Sequence, residues 1–188
     1  QGMCAGIRDV SNLAWKISHC LKKKHDDKLL NTYQSERSSN VKEYIETTMR
    51  MGEFVNAVGK SPITNNISAD SKGRKSMKSI KPRLGHGLGD LKDKFRGKIF
   101  PQFIIKKNKK LDEKFSLKPA LIISDEIKKN ISSKIKLIKS KNIKNLELFF
   151  KEHNCKAVIV RPDRFILSSC TSVKNFNSYL NKNLSLLA

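Results

Sequence analysis

The chain has 188 residues and a formal net charge of +22, which comes from 39 Lys and Arg residues against 17 Asp and Glu residues. This length allows one ordinary domain or two small ones, and no apolar run approaches the ~20 residues that a membrane-spanning helix needs. Four cysteines without C-x-x-C or zinc-type spacing are typical of reduced thiols, so we expect a cytoplasmic protein with no metal site and no membrane partner.

The positive charge is mostly lysine, since only eight of the basic residues are arginine. Lysine spread among asparagine and isoleucine indicates a bias of composition, whereas recognition of phosphates and bases usually uses the planar fork of arginine. We therefore expect no nucleic-acid partner. A basic, noncatalytic protein that binds nucleic acid or another anionic surface is the alternative function, and a steep salt dependence of DNA binding would favour it.

The first predicted element is a helix over residues 1–21. Apolar residues recur every three or four positions and predict one buried stripe. The first turn has almost no large side chains, because Gly2, Ala5 and Gly6 lie there. Such a start lets either a packed element or a ligand approach the backbone, and the unbonded N–H groups suit an anionic or carbonyl-rich ligand. The predicted stripe consists of Met3, Ile7, Val10, Ala14, Ile17 and Leu21.

Two further helical patterns follow the first helix. A capped helix is predicted through Tyr33–Arg37, in which Glu36 and Arg37 are expected to form structural ion pairs rather than to act in catalysis. Apolar residues then keep helical spacing over Val41–Val58.

Residues 59–97 are rich in Ser, Asn, Pro and Gly and predict a polar linker. The run Gly85–Gly89 reads GHGLG and superficially resembles a phosphate loop. It lacks a following Lys-Ser/Thr and a preceding apolar strand, so a flexible connection is the expected structure.

The last part of the chain, residues 98–188, has the pattern of a small α/β domain. Its predicted order is βαβαββα, which is that of a thioredoxin fold. No cysteine lies between the first strand and the first helix, so redox chemistry is not expected. The predicted elements are strands Leu117–Ile123 and Ile135–Ile138, helices Ser124–Ser133 and Ile143–His153, two strands that flank Pro162-Asp163, and a final helix from Ser172.

The turn between the last two strands decides whether two cysteines face each other. A two-residue turn at Pro162-Asp163 would place Cys155 opposite Cys170. A three-residue turn, with Arg164 in the left-handed conformation, would shift the register by one residue and separate them. A disulfide is not expected in either case, because the inferred compartment is reducing.

Four segments in chain order are similar to one family. Residues 1–9 read QGMCAGIRD and residues 12–16 read NLAWK. They resemble the G-Q-G-M-N-A-G-I-R-D…NLAWKL segment of the FAD-dependent aromatic hydroxylases, the flavoprotein monooxygenases related to p-hydroxybenzoate hydroxylase, with Cys4 where Asn is usual. Residues 29–37 (LLNTYQSER) and 98–102 (KIFPQ) also resemble the family. Residues 160–165 (VRPDRF) are similar to a hairpin of members with an extra thioredoxin-like domain, the 3-(3-hydroxyphenyl)propionate hydroxylase type.

The resemblance implies an enzyme in which NADH or NADPH reduces FAD, and O2 is then used to hydroxylate a phenolic compound. It implies that the backbone N–H groups of Gly2, Met3 and Cys4 face N1 and O2 of the flavin ring. No residue of this chain is assigned to catalysis, and a homodimer is compatible with the resemblance. No G-x-G-x-x-G follows an N-terminal strand, so a site for the ADP half of FAD is not predicted and we expect the C-terminal portion of a longer flavoenzyme.

The expected fold class is therefore α/β. Residues 1–58 would be the C-terminal helical part of an FAD-binding monooxygenase domain, residues 59–97 a polar linker, and residues 98–188 a thioredoxin-like domain without redox cysteines.

Overall fold

The computed structural model begins with a pair of long helices. Helix α1 spans Gly2–Lys23 and helix α2 spans Asp27–Asn56. The pattern around Tyr33–Arg37 and residues 41–56 of the pattern over Val41–Val58 belong to one continuous helix, α2, whereas residues 57 and 58 lie outside the described chain. The structure describes residues 2–23, 27–56, 67–69, 75–77, 80–106, 109–115, 118–128 and 135–184.

The described part of the chain after α2 contains strands, one short 3-10 helix and two α-helices. Strands β1 and β2 form one two-stranded antiparallel sheet, and β3 and β4 form another. The elements are β1 (Ile67–Ala69), β2 (Lys75–Met77), β3 (Ile104–Lys106), β4 (Lys109–Lys110), the 3-10 helix (Leu111–Lys114), β5 (Ala120–Ile123), β6 (Lys136–Lys139), α3 (Lys144–Glu152), β7 (Ala157–Val160), β8 (Ile166–Cys170) and α4 (Phe176–Leu184).

A four-stranded mixed sheet organises the C-terminal part of the chain. Its strand order is β6-β5-β7-β8, with β5 and β6 parallel and the other neighbours antiparallel. This order and these directions agree with the predicted thioredoxin-like α/β fold. Strand β5 starts later than predicted, at Ala120, since Pro119 cannot donate to a sheet ladder. Residues 124–128 of the predicted helix Ser124–Ser133 are not helical, and residues 129–133 lie outside the described chain.

Alternation along the strands divides the core between the two faces of the sheet. Ile122 and Val158 lie on one face with Phe149 of α3, as the predicted helix Ile143–His153 requires. Leu121 lies on the other face with Phe176 of α4. Because β5 and β7 are buried along their whole length, the sheet is covered on both sides.

The turn between β7 and β8 contains three residues. Arg161 N–H donates to the Phe165 carbonyl at 2.9 Å, and Arg164 has a φ of 69°. The three-residue turn and a register shift between Ile159 and Val160 together pair Ala157 with Cys170, and the two-residue alternative is wrong. Cys155 and Cys170 are both free thiols.

Residues 80–97 pack against α2 and β8, and the expectation of a flexible connection at Gly85–Gly89 is wrong. A Cβ added to Gly85 would overlap the Ser35 carbonyl, and one added to Gly87 would overlap the Glu36 side chain. These glycines thus permit close backbone approach to α2 rather than forming a phosphate loop.

The predicted burial of α1 is reversed in the structure. Met3 is 79% exposed, Val10 is 67% exposed and Leu21 is 77% exposed, although all three belong to the predicted buried stripe. The buried side of α1 carries Asn12 and Lys16, which lie on the opposite side of the helix. No described helix is long and apolar enough to cross a membrane.

Candidate functional site

The start of α1 is open. Gly2, Met3 and Cys4 are all exposed, and a Cβ added to Gly2 or Gly6 would meet no atom within 4 Å beyond the helix's own backbone. A planar ligand can therefore approach this first turn without displacing a described side chain. The contact of these three backbone N–H groups with flavin stays a prediction, and their exposure is compatible with it.

A positive charge lies next to this first turn. The Arg8 guanidinium donates to the Cys4 carbonyl at 3.1 Å, and its central carbon lies 5.0 Å from the centroid of the Tyr44 ring. The charge of Arg8 adds to the partial positive charge of the helix start. The first turn is thus suited to negative charge on a ligand.

Further along α1, buried polar side chains from three parts of the chain form a charge cluster. Glu36 accepts hydrogen bonds from Lys16 Nζ at 2.9 Å and from Arg161 Nη1 and Nη2 at 2.8 and 2.9 Å. Asp163 accepts from Arg161 Nε at 3.0 Å and Nη2 at 2.6 Å, and from Asn12 at 2.9 Å. We call Asn12, Lys16, Glu36, Arg161 and Asp163 the junction cluster, because α1, α2 and the β7–β8 turn meet there.

Arg96 places another guanidinium beside the junction cluster. Its Nη2 lies 3.8 Å from Glu36 Oε1, and its Nε and Nη1 donate to the carbonyls of Leu84, Gly85 and Leu88. The amide of Leu88 in turn donates to Glu36 Oε1 at 3.0 Å. Glu36, on α2, therefore contacts residues within 84–96 as well as Lys16 of α1.

Pairing dominates the electrostatics of the junction cluster. Burial alone would raise the pKa of Glu36, but the charges and hydrogen bonds of Arg161 and Lys16 lower it to about 2. Burial lowers the pKa of Lys16, and Glu36 opposes that effect. Burial would also lower the pKa of Arg161, but Asp163 and Glu36 raise it above its ordinary value. Glu36 and Arg161 are thus held in their charged forms at neutral pH.

A second ion pair joins α1 to α2. Arg37 Nε donates to Asp9 at 2.6 Å, and Arg37 Nη1 donates to Asn40 at 2.5 Å. Asn40 in turn donates to the carbonyl of Pro82. The prediction that Glu36 and Arg37 form structural ion pairs is confirmed.

The partners of Glu36 are not predicted by the sequence patterns. Lys16 lies within the first predicted helix, and Arg161 and Asp163 lie at the predicted turn between the last two strands. A signal was present, because three resembling segments, 12–16, 29–37 and 160–165, each contribute at least one charged residue to the junction cluster. The segment 98–102 contributes no side chain to it.

Comparisons with known proteins match the chain to an FAD binding domain and to hydroxylases. Residues 1–48 match a protein family described as FAD binding domain. A probable NADH-specific resorcinol 4-hydroxylase of Rhodococcus jostii (strain RHA1) is 35% identical over 109 residues, which are 56% of this chain and 20% of that protein. A 3-(3-hydroxy-phenyl)propionate/3-hydroxycinnamic acid hydroxylase of Escherichia coli (strain K12 / DH10B) is 42% identical over 55 residues, 29% of this chain and 10% of that protein. The chain thus spans a fifth or less of these curated relatives.

Two solved structures of hydroxylating enzymes share the fold of this chain. The flavin-dependent monooxygenase PieE, in complex with FAD and substrate, has a TM-score of 0.57 at 11% identity, over 97% of this chain and 44% of that chain. The OxyS anhydrotetracycline hydroxylase of Streptomyces rimosus has a TM-score of 0.54 at 13% identity, over 100% of this chain and 42% of that chain. At these identities the likeness shows the fold alone.

These findings state what the chain is similar to. Residues 1–48 match an FAD binding domain, and 109 residues of the chain are similar to a resorcinol hydroxylase. The resemblance stated from the sequence is confirmed. The alternative of a basic nucleic-acid-binding protein gains no support from the comparisons.

Proposed function

We propose that this chain is part of an FAD-dependent monooxygenase that hydroxylates a phenolic compound. The observation that carries the proposal is the open first turn of α1, which lies within the segment matched as FAD binding domain. Gly2, Met3 and Cys4 would offer their backbone N–H groups to N1 and O2 of the flavin ring. When bound, FAD would accept two electrons from NADH or NADPH and would then pass them to O2.

The contribution of this chain is electrostatic. The first N–H groups of a helix have no partner within the helix and carry partial positive charge. They would favour the negative charge that the reduced flavin ring carries near N1. Such an effect is worth about 0.3–1 kcal/mol, and up to ~2 kcal/mol when partly buried.

The junction cluster gives α1 a fixed position in this proposal. Lys16 and Asn12 bind the middle of α1 to Glu36 and Asp163. These contacts would set the position and direction of the first turn without involving residues of that turn. These are positioning residues, because none of them lies at the helix start.

The remaining assignments follow the relatives. We propose the division into residues 1–58 of the flavin domain, connecting residues 59–97 and a thioredoxin-like unit from residue 98. The substrate would be a phenolic small molecule with O2, the reductant NADH or NADPH, and the location cytoplasmic. Resorcinol and hydroxyphenylpropionate, named for the relatives, are the first compounds to assay.

The flavin contact can be tested in the Rhodococcus hydroxylase carrying residues 2–48 of this chain in place of its own matching segment. We call this protein the chimera. Gly2→Pro removes an amide N–H at a position where helices tolerate proline, whereas Gly2→Ala keeps the N–H and adds a comparable Cβ. We expect the two-electron midpoint potential of FAD to be lower in Gly2→Pro than in Gly2→Ala by roughly 5–40 mV. Equal potentials in the two variants would contradict the contact.

A further inference from the structure

The β7–β8 turn contacts the buried side of α1 through two charged side chains. Asp163 accepts a hydrogen bond from Asn12 Nδ2 at 2.9 Å, and the guanidinium carbon of Arg161 lies 5.1 Å from the centroid of the Trp15 ring. Asn12 and Trp15 are three positions apart and therefore lie on the same side of the helix. We call the four-stranded sheet with α3 and α4 the sheet unit. Its turn thus contacts α1 directly, although Asp163 lies 151 positions after Asn12.

Arg161 also orients Glu36, the residue that binds Lys16. Its Nη1 and Nη2 donate to the two carboxylate oxygens of Glu36 at 2.8 and 2.9 Å, and this two-nitrogen fork fixes the plane of the carboxylate. The oxygen Oε2 also accepts from Lys16 Nζ at 2.9 Å and from Asn12 Nδ2 at 3.2 Å. All four side chains are buried, so a hydrogen bond lost here leaves a polar group without a replacement from solvent.

A small tilt of α1 at these contacts becomes a larger displacement at its first turn. About twelve residues separate Gly2 from the middle of the contacts, which is ~18 Å at ~1.5 Å per residue, so a tilt of about 10° moves the first turn by roughly 3 Å. A Cβ added at Gly2 or Gly6 would meet no atom within 4 Å beyond the helix's own backbone, so the first turn has little packing of its own to resist the tilt. The Asp9–Arg37 pair also joins α1 to α2, but its aspartate side chain is 30% exposed and gives a weaker restraint.

We propose that Arg161 positions the first turn of α1, so that the sheet unit controls the proposed flavin site from roughly 18 Å away. The flavin part of this inference rests on the proposed function. Arg161 follows β7, whereas α1 and Glu36 lie in the segment matched as FAD binding domain. A buried ion pair adds little net stability compared with apolar packing, whereas its geometry restricts how two elements meet. Such a role needs no redox cysteine in the sheet unit.

The first experiment measures the position of the first turn in the 188-residue chain without FAD. Cys4 is exposed and carries one spin label, and Lys151→Cys, at an exposed position of α3, carries the other. Cys20→Ala removes the remaining accessible thiol, since Cys155 and Cys170 are buried. Double electron–electron resonance then gives the distance distribution between the first turn and the sheet unit.

Two arginines of the same turn provide the variant and its control. Arg161→Lys keeps the positive charge but removes the fork, and Arg164→Lys makes the same change at a side chain that is 29% exposed and pairs with Asp112. We expect the mean distance to shift, or its distribution to widen, by at least about 2 Å in Arg161→Lys and by less than about 1 Å in Arg164→Lys. Circular dichroism shows whether each variant is folded. If Arg161→Lys does not fold, Asp163→Asn replaces it with the same expectation, since it removes the charge that meets Asn12.

The second experiment measures the flavin in the Rhodococcus hydroxylase carrying residues 2–184 of this chain in place of its own corresponding portion. The midpoint potential gives the ratio of the dissociation constants of oxidised and reduced FAD. A displaced first turn stabilises the reduced ring less, so we expect this ratio to be at least about twofold lower in Arg161→Lys than in Arg164→Lys. A residue that only stabilises the fold would leave the ratio unchanged in the folded, FAD-bound protein.

The outcomes separate this inference from the flavin contact itself. Equal distance distributions in Arg161→Lys and Arg164→Lys would overturn the inference. So would equal FAD ratios in these two variants, if Gly2→Pro and Gly2→Ala still differ in the chimera. Equal potentials in the two Gly2 variants would instead refute the flavin contact, and the label distances would still decide whether Arg161 positions the first turn.

Discussion

Replacing Glu36 by Gln removes the carboxylate that lies against Lys16, Arg161 and Arg96. Glu36 has no exposed surface, and its oxygens lie 2.8–3.8 Å from the three cations. The variant keeps the shape of the side chain and leaves three buried positive charges facing Asp163 alone. Removing one partner of a buried ion pair typically destabilises by about 3–5 kcal/mol.

The pKa of Glu36 gives a second value for the same effect. Its lowering from 4.5 to about 2 in the folded chain corresponds to roughly 3 kcal/mol, at about 1.36 kcal/mol for each pH unit. Because the folded-state pKa is the lower one, the contribution is complete above pH 4.5. It is lost as the pH falls from 4.5 towards about 2.

The assay is urea unfolding of the 188-residue chain, followed by circular dichroism between pH 7 and pH 2.5. We expect Glu36→Gln to lower the free energy of unfolding by about 3 kcal/mol at pH 7, with a smaller difference from the wild type as the pH falls below 4.5. Glu46→Gln is the matched control, since Glu46 forms only exposed pairs with Lys42 and Arg50 and should change stability by less than about 0.5 kcal/mol. A loss below about 1 kcal/mol, or a difference from the wild type that does not change with pH, would refute the reasoning.

Three further predictions follow from single residues. Gly87→Ala should destabilise by about 1–3 kcal/mol in the same urea assay because its Cβ overlaps Glu36, whereas Gly52→Ala, a helical position with open space, should stabilise by up to about 1 kcal/mol; a neutral Gly87→Ala would argue against the packed loop. At pH 8, Ellman's reagent should label exposed Cys4 fast and Cys155 slowly, since burial raises the pKa of Cys155 to about 11, and a disulfide-linked mass would contradict free thiols. The isolated chain should bind FAD more weakly than about 1 μM by fluorescence titration, because the ADP half has no site in its sequence; tighter binding would be evidence against the proposed division of the flavin site.

In α1, the periodicity of apolar residues predicts the helix but not which side of it is buried. The spacing of Met3, Val10 and Leu21 correctly predicts a helix, but the side that it marks as buried is exposed in the structure. A periodic apolar stripe predicts a helix, but it does not show whether the same chain buries that stripe. The polar side of α1 is buried because charged partners meet it there, and a hydrophobic pattern gives no signal for such burial.

Long-range pairing explains what could not be predicted of the junction cluster. Glu36 and Arg161 are 125 positions apart in the chain, and no local rule brings them together. The thioredoxin-like order was predictable because each strand and helix carries its own period, as in β7 and α3. The sequence is compatible with both a two-residue and a three-residue turn between β7 and β8. Position 164 is an arginine and not a glycine, so the sequence does not indicate the left-handed conformation that the structure has there.

Hydrogen–deuterium exchange of the chimera, with and without FAD, tests whether the first turn of α1 contacts the flavin. We expect the amides of residues 2–4 to exchange quickly in the apo protein and to become protected when FAD binds, because they gain acceptors on the flavin ring. Amides in the middle of α2 should show no change, since their helical hydrogen bonds are already made. Unchanged exchange at residues 2–4, in a chimera that binds FAD, would rule out this contact.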